Sequence, residues 1–322
     1  MVDMHHIITD DASILIFLHD LYAIVDGKGL SSLRIQYKDY AQWQNSPRQR
    51  QAMQEQEYFW VKQFDNTVPR LNLPLDHERT PEYSAVGYLN AVLADTAAKK
   101  LQDISNEEDV TMFMVFLTLF NVFLAKVTGE EDILIGTLTA GRGHTDLEEV
   151  IGMFVNTLVL RNFPRSGLTF REFLRNLRSQ TLEAFENQDY QFDDLVDRVV
   201  KTRETGRNPI FDTAFAYYAE HRELPGIIPQ KGEITKGIIE VQAKFDFTLN
   251  VTEKKDGLYL SLNYNARLFK EETIERFFHY INDICEMVAE NPAIKLKDIM
   301  ISHELTTAAA TVIEAEEGDF GF

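Results

Sequence analysis

The stretch His5-His6-Ile7-Ile8-Thr9-Asp10-Asp11 decides how the chain is read. Together with Val2 it forms a short apolar run rich in β-branched residues, and the pattern predicts a buried strand over 2–8. Two histidines lie at the strand end and an acid follows at the turn. Adjacent side chains on a strand point to opposite faces, so one histidine faces a given cavity and the other is held in the opposite layer. An imidazole at a strand end can take a proton from a nucleophile near neutral pH. Asp10, past the turn, is placed to pair with a buried arginine rather than to touch substrate. Two ordinary strand histidines are the plain alternative, and spacing alone leaves it open. A metal set of His5, His6 and Asp10 fits poorly, because ligands share one face and these histidines do not.

Outward from that stretch, helical spacing predicts a helix over 12–25, ended by Asp26-Gly27. A helical pattern over 37–64 is broken at Pro47. Pro69, Pro74 and Pro81 mark a linker between two lobes. Beyond it the pattern alternates: strand 88–94, helix 97–104, buried helix 111–127, strands 133–139 and 155–163, and amphipathic helix 169–187. A strand over 213–219 follows. Strands over 244–252 and 258–264 flank Asp256-Gly257, a hairpin signal. A long helix over 271–290 completes the pattern. Mixed strands and helices around two cores indicate an α/β or α+β architecture.

The 322 residues are 44% apolar and 11% aromatic, which is a globular composition with two lobes' worth of chain. Thirty-two bases against 51 acids give a net charge of −19, which argues against a nucleic-acid binder and against docking on an anionic membrane. The longest apolar run, 112–125, is too short for a bilayer core of ~30 Å. The single cysteine, Cys285, excludes a disulfide framework and fits a reducing cytosol; its helical neighbours make it a small buried hydrophobe. The first residues carry an acid and two histidines and no basic segment, so no secretory signal is expected. Neither a phosphate-binding glycine loop nor a nucleophile-elbow serine is present. Ala140-Gly141-Arg142-Gly143, after a strand, can shape a turn against a ligand, though a plain turn is the simpler reading. Asn187-Gln188-Asp189-Tyr190 reads as a helix C-cap with local hydrogen bonds.

Seven segments in order carry a family resemblance. Met4-His5-His6-Ile7-Ile8-Thr9-Asp10 resembles the HHxxxDG signature of condensation domains of nonribosomal peptide synthetases. Tyr37 to Trp43 (YKDYAQW), Ile151 to Arg161 (IGMFVNTLVLR), Asn187 to Phe192 (NQDYQF) and Arg207 to Asp212 (RNPIFD) resemble further family segments. So do Lys244 to Thr248 and Tyr264 to Phe269. The Val155-Asn156-Thr157 segment is closer to true condensation domains than to epimerisation domains. One position departs: Asp11 stands where the family has a glycine, so the turn is altered or Asp11 occupies the left-handed region.

The resemblance implies an α/β, chloramphenicol-acetyltransferase-like two-lobed condensation fold with a tunnel between the lobes. The signature falls at residue 5, so the chain reads as a partial first lobe plus a full second lobe: a remnant over 1–66, a linker over 67–84, a C-terminal lobe over 85–303 and an acidic tail over 304–322. It implies peptide-bond formation between a donor acyl or peptidyl thioester and an aminoacyl thioester. Both arrive on phosphopantetheine arms of donor and acceptor peptidyl carrier proteins, beside adjacent synthetase domains. It implies no metal, no tightly held cofactor, no nucleic-acid or membrane partner, and a cytoplasmic location. His6 is the implied catalytic residue, with His5 and Asp10 as supports and Thr139, Gly141, Asn156, Thr157, Gln188 and Asn208 as tunnel candidates. A carrier-docking fragment without catalysis and a CoA-dependent acyltransferase are the competing readings.

Overall fold

The computed structural model describes residues 3–64, 67–80, 82, 84–202, 204–219 and 234–301; the acidic tail lies outside the described residues. In chain order the elements are α1 (Asp11–Val25), α2 (Tyr37–Gln44), α3 (Pro47–Lys62), β1 (Ala85–Val92), α4 (Asp95–Glu107), α5 (Met112–Thr128), β2 (Ile133–Thr139), β3 (Asn156–Asn162), α6 (Phe170–Glu186), α7 (Phe192–Val199), β4 (Thr213–Tyr218), β5 (Thr235–Gln242), β6 (Phe247–Lys254), β7 (Gly257–Asn265) and α8 (Glu271–Glu290). Pro47 separates α2 from α3 by starting the latter. It is the first helical residue, where its missing N–H costs nothing, and Ser46 caps it by accepting from Gln49 N.

The described residues divide into two compact units. One draws on residues 1–70, 134–161 and 180–215; the other draws on 71–133, 162–179 and 216 onward. In the first unit β2 and β4 run parallel, with Ile135 opposite Thr213. In the second, β6 and β7 form an antiparallel hairpin around Lys255-Asp256, β7 pairs β1, and β1 pairs β5, all antiparallel. The hydrogen-bonded order is β3-β2-β4 in the first unit and β6-β7-β1-β5 in the second. The second unit's core is aromatic: Phe120 and Phe123 of α5 pack on Phe247 of β6, and Phe123 meets Phe277 of α8 edge-on at 5.2 Å.

The structure departs from the sequence reading at several places. Residues 3–8 of the expected strand are not extended: His6–Ile8 is a 3-10 turn, and Ile7 and Ile8 are 71% and 58% exposed. The backbone closes on itself there, Ile8 N donating to His5 O at 3.0 Å and Thr9 N to His6 O at 3.4 Å. Among the described residues no strand pairs with the segment, and β-branched content alone does not hold a chain extended. The compact units are not contiguous in sequence: segments 134–161 and 180–215 group with the N-terminal stretch. The proline-rich stretch is also more than a spacer. Leu71 and Leu73 are buried, and Arg79 Nη1 donates to Asp246 Oδ1 at 2.6 Å. Two elements, α7 and β5, have no counterpart in the sequence reading; α7 is one amphipathic stretch of eight residues, and β5 is an edge strand with mostly exposed side chains.

Candidate active site

The site lies in the first unit, where the segment around residues 5–13 meets the turns after β2 and before β3. The two histidines do not alternate across a strand. His5 caps the 3-10 turn, its Nδ1 accepting from Ile7 N at 3.1 Å, and it is exposed rather than held in an opposite layer. His6 is also exposed, but its ring is fixed: Nδ1 lies 2.7 Å from the Thr9 carbonyl oxygen. A carbonyl only accepts, so Nδ1 carries the hydrogen and the neutral ring keeps its lone pair on Nε2.

Three buried polar residues follow this turn. Thr9, Asp10 and Ser13 are 4%, 3% and 0% exposed. The buried arginine expected opposite Asp10 is Arg142, whose Nη2 donates to Asp10 Oδ1 at 3.1 Å. Asp10 Oδ1 also accepts from Ser13 N at 2.8 Å and Ser13 Oγ at 2.7 Å, and Oδ2 accepts from Phe154 N at 3.1 Å. Burial pushes the Asp10 carboxyl up, but the hydrogen bonds from Ser13 and Phe154 and the charge of Arg142 outweigh it and hold the group below its ordinary value. With its oxygens occupied, Asp10 is an anchor and helix cap; it is not a base.

Arg142 extends the anchor. Its Nη1 donates to the carbonyls of Leu147 and Val150 at 2.5 and 2.6 Å, and its guanidinium lies 4.2 Å from the centroid of the Phe154 ring. Gly141, in the same turn, adopts φ +63°, and a Cβ there would sit 1.9 Å from the Phe154 carbonyl oxygen. The glycine thus lets the turn lie flat on Phe154. Tyr37 of α2 donates to Met153 O at 2.9 Å, and its ring and that of Tyr40 pack on Phe154 at 5.1 and 4.8 Å. Burial, helped by the charges of Asp189 and Tyr37, pushes the Tyr40 hydroxyl up to about 12, so it stays protonated.

The other candidates form a second group. Asn156 Nδ2 donates to the carbonyls of Gln188 and Tyr190, both at 2.8 Å, and Oδ1 accepts from Thr157 N at 2.9 Å and Phe192 N at 3.2 Å. Both side-chain polar atoms of Asn156 are therefore spent on holding residues 188–192 against β3. Thr139 Oγ1 donates to Gln188 Oε1, which ties the end of β2 to the same segment. Thr157 and Gln188 are half-buried. Asn208 makes a turn of its own: Oδ1 accepts from Ile210 N and Phe211 N at 3.1 and 3.2 Å, and its carbonyl accepts from Arg70. The structure thus joins Thr139, Asn156, Thr157 and Gln188, sets Gly141 beside the Asp10 anchor, and binds Asn208 to a different segment.

Asp11 is the first residue of α1, exposed and helical, so the replaced glycine leaves no left-handed strain. Among the described residues only Asp109 combines a side chain with positive φ. The sequence reading missed the roles of Arg142, Ser13, Tyr37 and Phe154. The available signals were an arginine between two glycines after a buried strand, and a serine three residues past an acid, which is a capping pattern. No group of His, Cys, Asp or Glu among the described residues is arranged to hold a metal ion.

This architecture has counterparts among solved structures. The X-domain in its complex with OxyB from teicoplanin biosynthesis superposes with a TM-score of 0.79 at 22% identity, over 93% of this chain and 69% of that one. A four-domain nonribosomal peptide synthetase bound to AMP and glycine gives 0.76 at 21%, over 94% and 24%. The fold is that of these condensation-like α/β domains. The Condensation domain family matches residues 1–310, and the chain belongs to that family. Bacitracin synthase 1 from Bacillus licheniformis is 41% identical over 303 residues, which is 93% of this chain; the chain spans only 6% of that relative's length.

Proposed function

We propose that the chain carries the His6-bearing site of a peptide-bond-forming condensation domain. An aminoacyl thioester supplies the amine and an acyl or peptidyl thioester supplies the carbonyl, each on the phosphopantetheine arm of a carrier protein. The observation that carries this reading is the state of His6: Nδ1–H bound to Thr9 O, the Nε2 lone pair free, and the ring exposed beside a buried anchor. Nε2 can accept a hydrogen bond from the attacking amine, orienting its lone pair at the thioester carbon. It then takes the proton as the C–N bond forms and the thiolate leaves. The thioester is already activated, so positioning supplies much of the acceleration.

The test is single-turnover amide formation in a reaction containing this chain with its neighbouring synthetase domains and both loaded carriers. His6→Ala is expected to slow the step about 10²-fold, the lower end of the usual effect of losing a positioned base. An unchanged rate in a normally folded variant would overturn the catalytic assignment. A docking role without catalysis is the second reading, favoured by one observation: the X-domain of like fold is found in complex with another protein, OxyB. Under that reading His6→Ala leaves every rate and every carrier affinity unchanged.

A further inference from the structure

His6 is held by a single hydrogen bond in a turn whose residues 5–8 are all exposed. Its acceptor, the Thr9 carbonyl, belongs to the first buried residue of the segment. The orientation of the imidazole is therefore set by whatever fixes the Thr9–Asp10 backbone. Asp10 is clamped from four sides, and Ser13 supplies two of them, through its backbone N–H and its hydroxyl.

The hydroxyl of Ser13 is the crossing point of the anchor. It lies 2.7 Å from Asp10 Oδ1 and 2.7 Å from Gly152 O, the two sites for its one hydrogen. It accepts from Arg142 Nη2 at 2.9 Å and from Gly152 N at 3.0 Å. One fully buried oxygen thus connects α1, the turn after β2 and the turn before β3. Ser13 is also the only buried residue of α1.

We propose that Ser13 is a positioning residue for His6: it fixes Asp10, and through the Thr9 carbonyl it holds the imidazole in the Nδ1–H form with Nε2 free. This rests on the assignment of His6 above, but the coupling is measurable without catalysis. Replacing the hydroxyl removes a hydrogen bond to Asp10 and leaves the N–H of Gly152 and one Arg142 hydrogen without that acceptor in a buried site. The Thr9–Asp10 peptide then loses its fixed orientation, and the ring exchanges between tautomers.

The experiment is ¹⁵N NMR of the imidazoles in this chain labelled at histidine, with His6→Gln identifying the His6 signals. In the wild type, Nδ1 is expected in the protonated range and Nε2 in the unprotonated range. Ser13→Ala should move both signals toward the tautomer-averaged positions of a free imidazole, and Ser13→Thr, which keeps the hydroxyl, should hold them nearer the wild type. If Ser13→Ala does not fold, Ser13→Cys fills the space with a weakly bonding thiol and should show the same averaging. A folded Ser13→Ala or Ser13→Cys protein with His6 still locked as Nδ1–H overturns the proposal and leaves Ser13 a packing residue. The rate of His6→Ala decides separately whether that ring works in catalysis.

Discussion

Replacing Asp10 by Asn keeps the shape of the side chain and removes its charge. The substitution leaves Arg142, whose side chain is 6% exposed, without a counter-ion. It also turns one carboxylate oxygen into an amide nitrogen that must face a donor, either Phe154 N–H or the Ser13 and Arg142 group. Breaking a buried ion pair by removing one partner typically costs about 3–5 kcal/mol, because the remaining charge stays desolvated. The oxygen of the introduced amide can still accept from Ser13 N, so we expect a loss near the lower end, about 3 kcal/mol. Both tryptophans, Trp43 and Trp60, belong to the first unit, so their fluorescence reports the unit that holds Asp10. With a urea dependence of about 1–3 kcal/mol per M, the midpoint of that transition should fall by about 1–3 M.

The pH dependence gives the same experiment a second arm. The Asp10 carboxyl lies below its ordinary value in the folded chain. The stability it contributes is therefore fully present above the unfolded carboxyl pKa of about 3.9, and is lost as pH falls through the lower folded value. The gap between the wild type and Asp10→Asn should be constant near neutrality and narrow below about pH 4. An Asp10→Asn protein that unfolds at the wild-type midpoint, with an unchanged slope, would refute the anchor. A gap independent of pH down to acid unfolding would refute the role of its charge.

Gly152→Ala places a Cβ 2.1 Å from the Tyr37 ring and should destabilise the first unit by about 1–3 kcal/mol through overpacking. In a Tyr37→Ala background the same change should cost much less, and equal costs in the two backgrounds would show that the ring is not the obstacle. Cys285 is fully buried in α8, and burial, with the charge of Glu286, pushes its thiol up to about 12. A thiol reagent at pH 8 should label the chain only as fast as the second unit opens; labelling within the mixing time would contradict its burial.

The parts of the fold legible in the sequence are those where one physical signal dominates. β2 and α8 fall on their expected bounds, and α5 and α6 within a residue at each end, because long apolar or amphipathic runs leave one solution. The Asp256-Gly257 signal marks the β6–β7 hairpin for the same reason, with the turn itself one residue earlier, at Lys255-Asp256. The 2–8 segment misleads because its apolar run carries strand propensity, whereas a strand needs partners that no local pattern reveals. The site divides the same way. His5, His6 and Asp10 are visible because they are close in sequence. Arg142, Gly152 and Phe154 reach Asp10 and Ser13 across 129–144 residues, and an arginine between two glycines marks a turn without naming its distant partner.

The arrangement separates His6, the group proposed to react, from the groups that hold it. His6 is exposed and makes one side-chain hydrogen bond, so its removal leaves no cavity and frees one carbonyl, that of Thr9, at the edge of the anchor; exposed substitutions usually change stability by less than about 0.5 kcal/mol. Asp10, Ser13 and Arg142 are buried and make nearly all their bonds to one another and to the backbone at 147–154. A loss of rate in His6→Ala at unchanged stability is thus a statement about chemistry. The same loss in Asp10→Asn mixes chemistry with unfolding and decides nothing alone. The order of tests follows from burial: His6 by rate, Asp10 by unfolding, and Ser13, which links the two, by the tautomer of the ring it holds. A His6→Ala protein that loses several kcal/mol would break this separation, because it would mean that the exposed turn is itself part of the anchor.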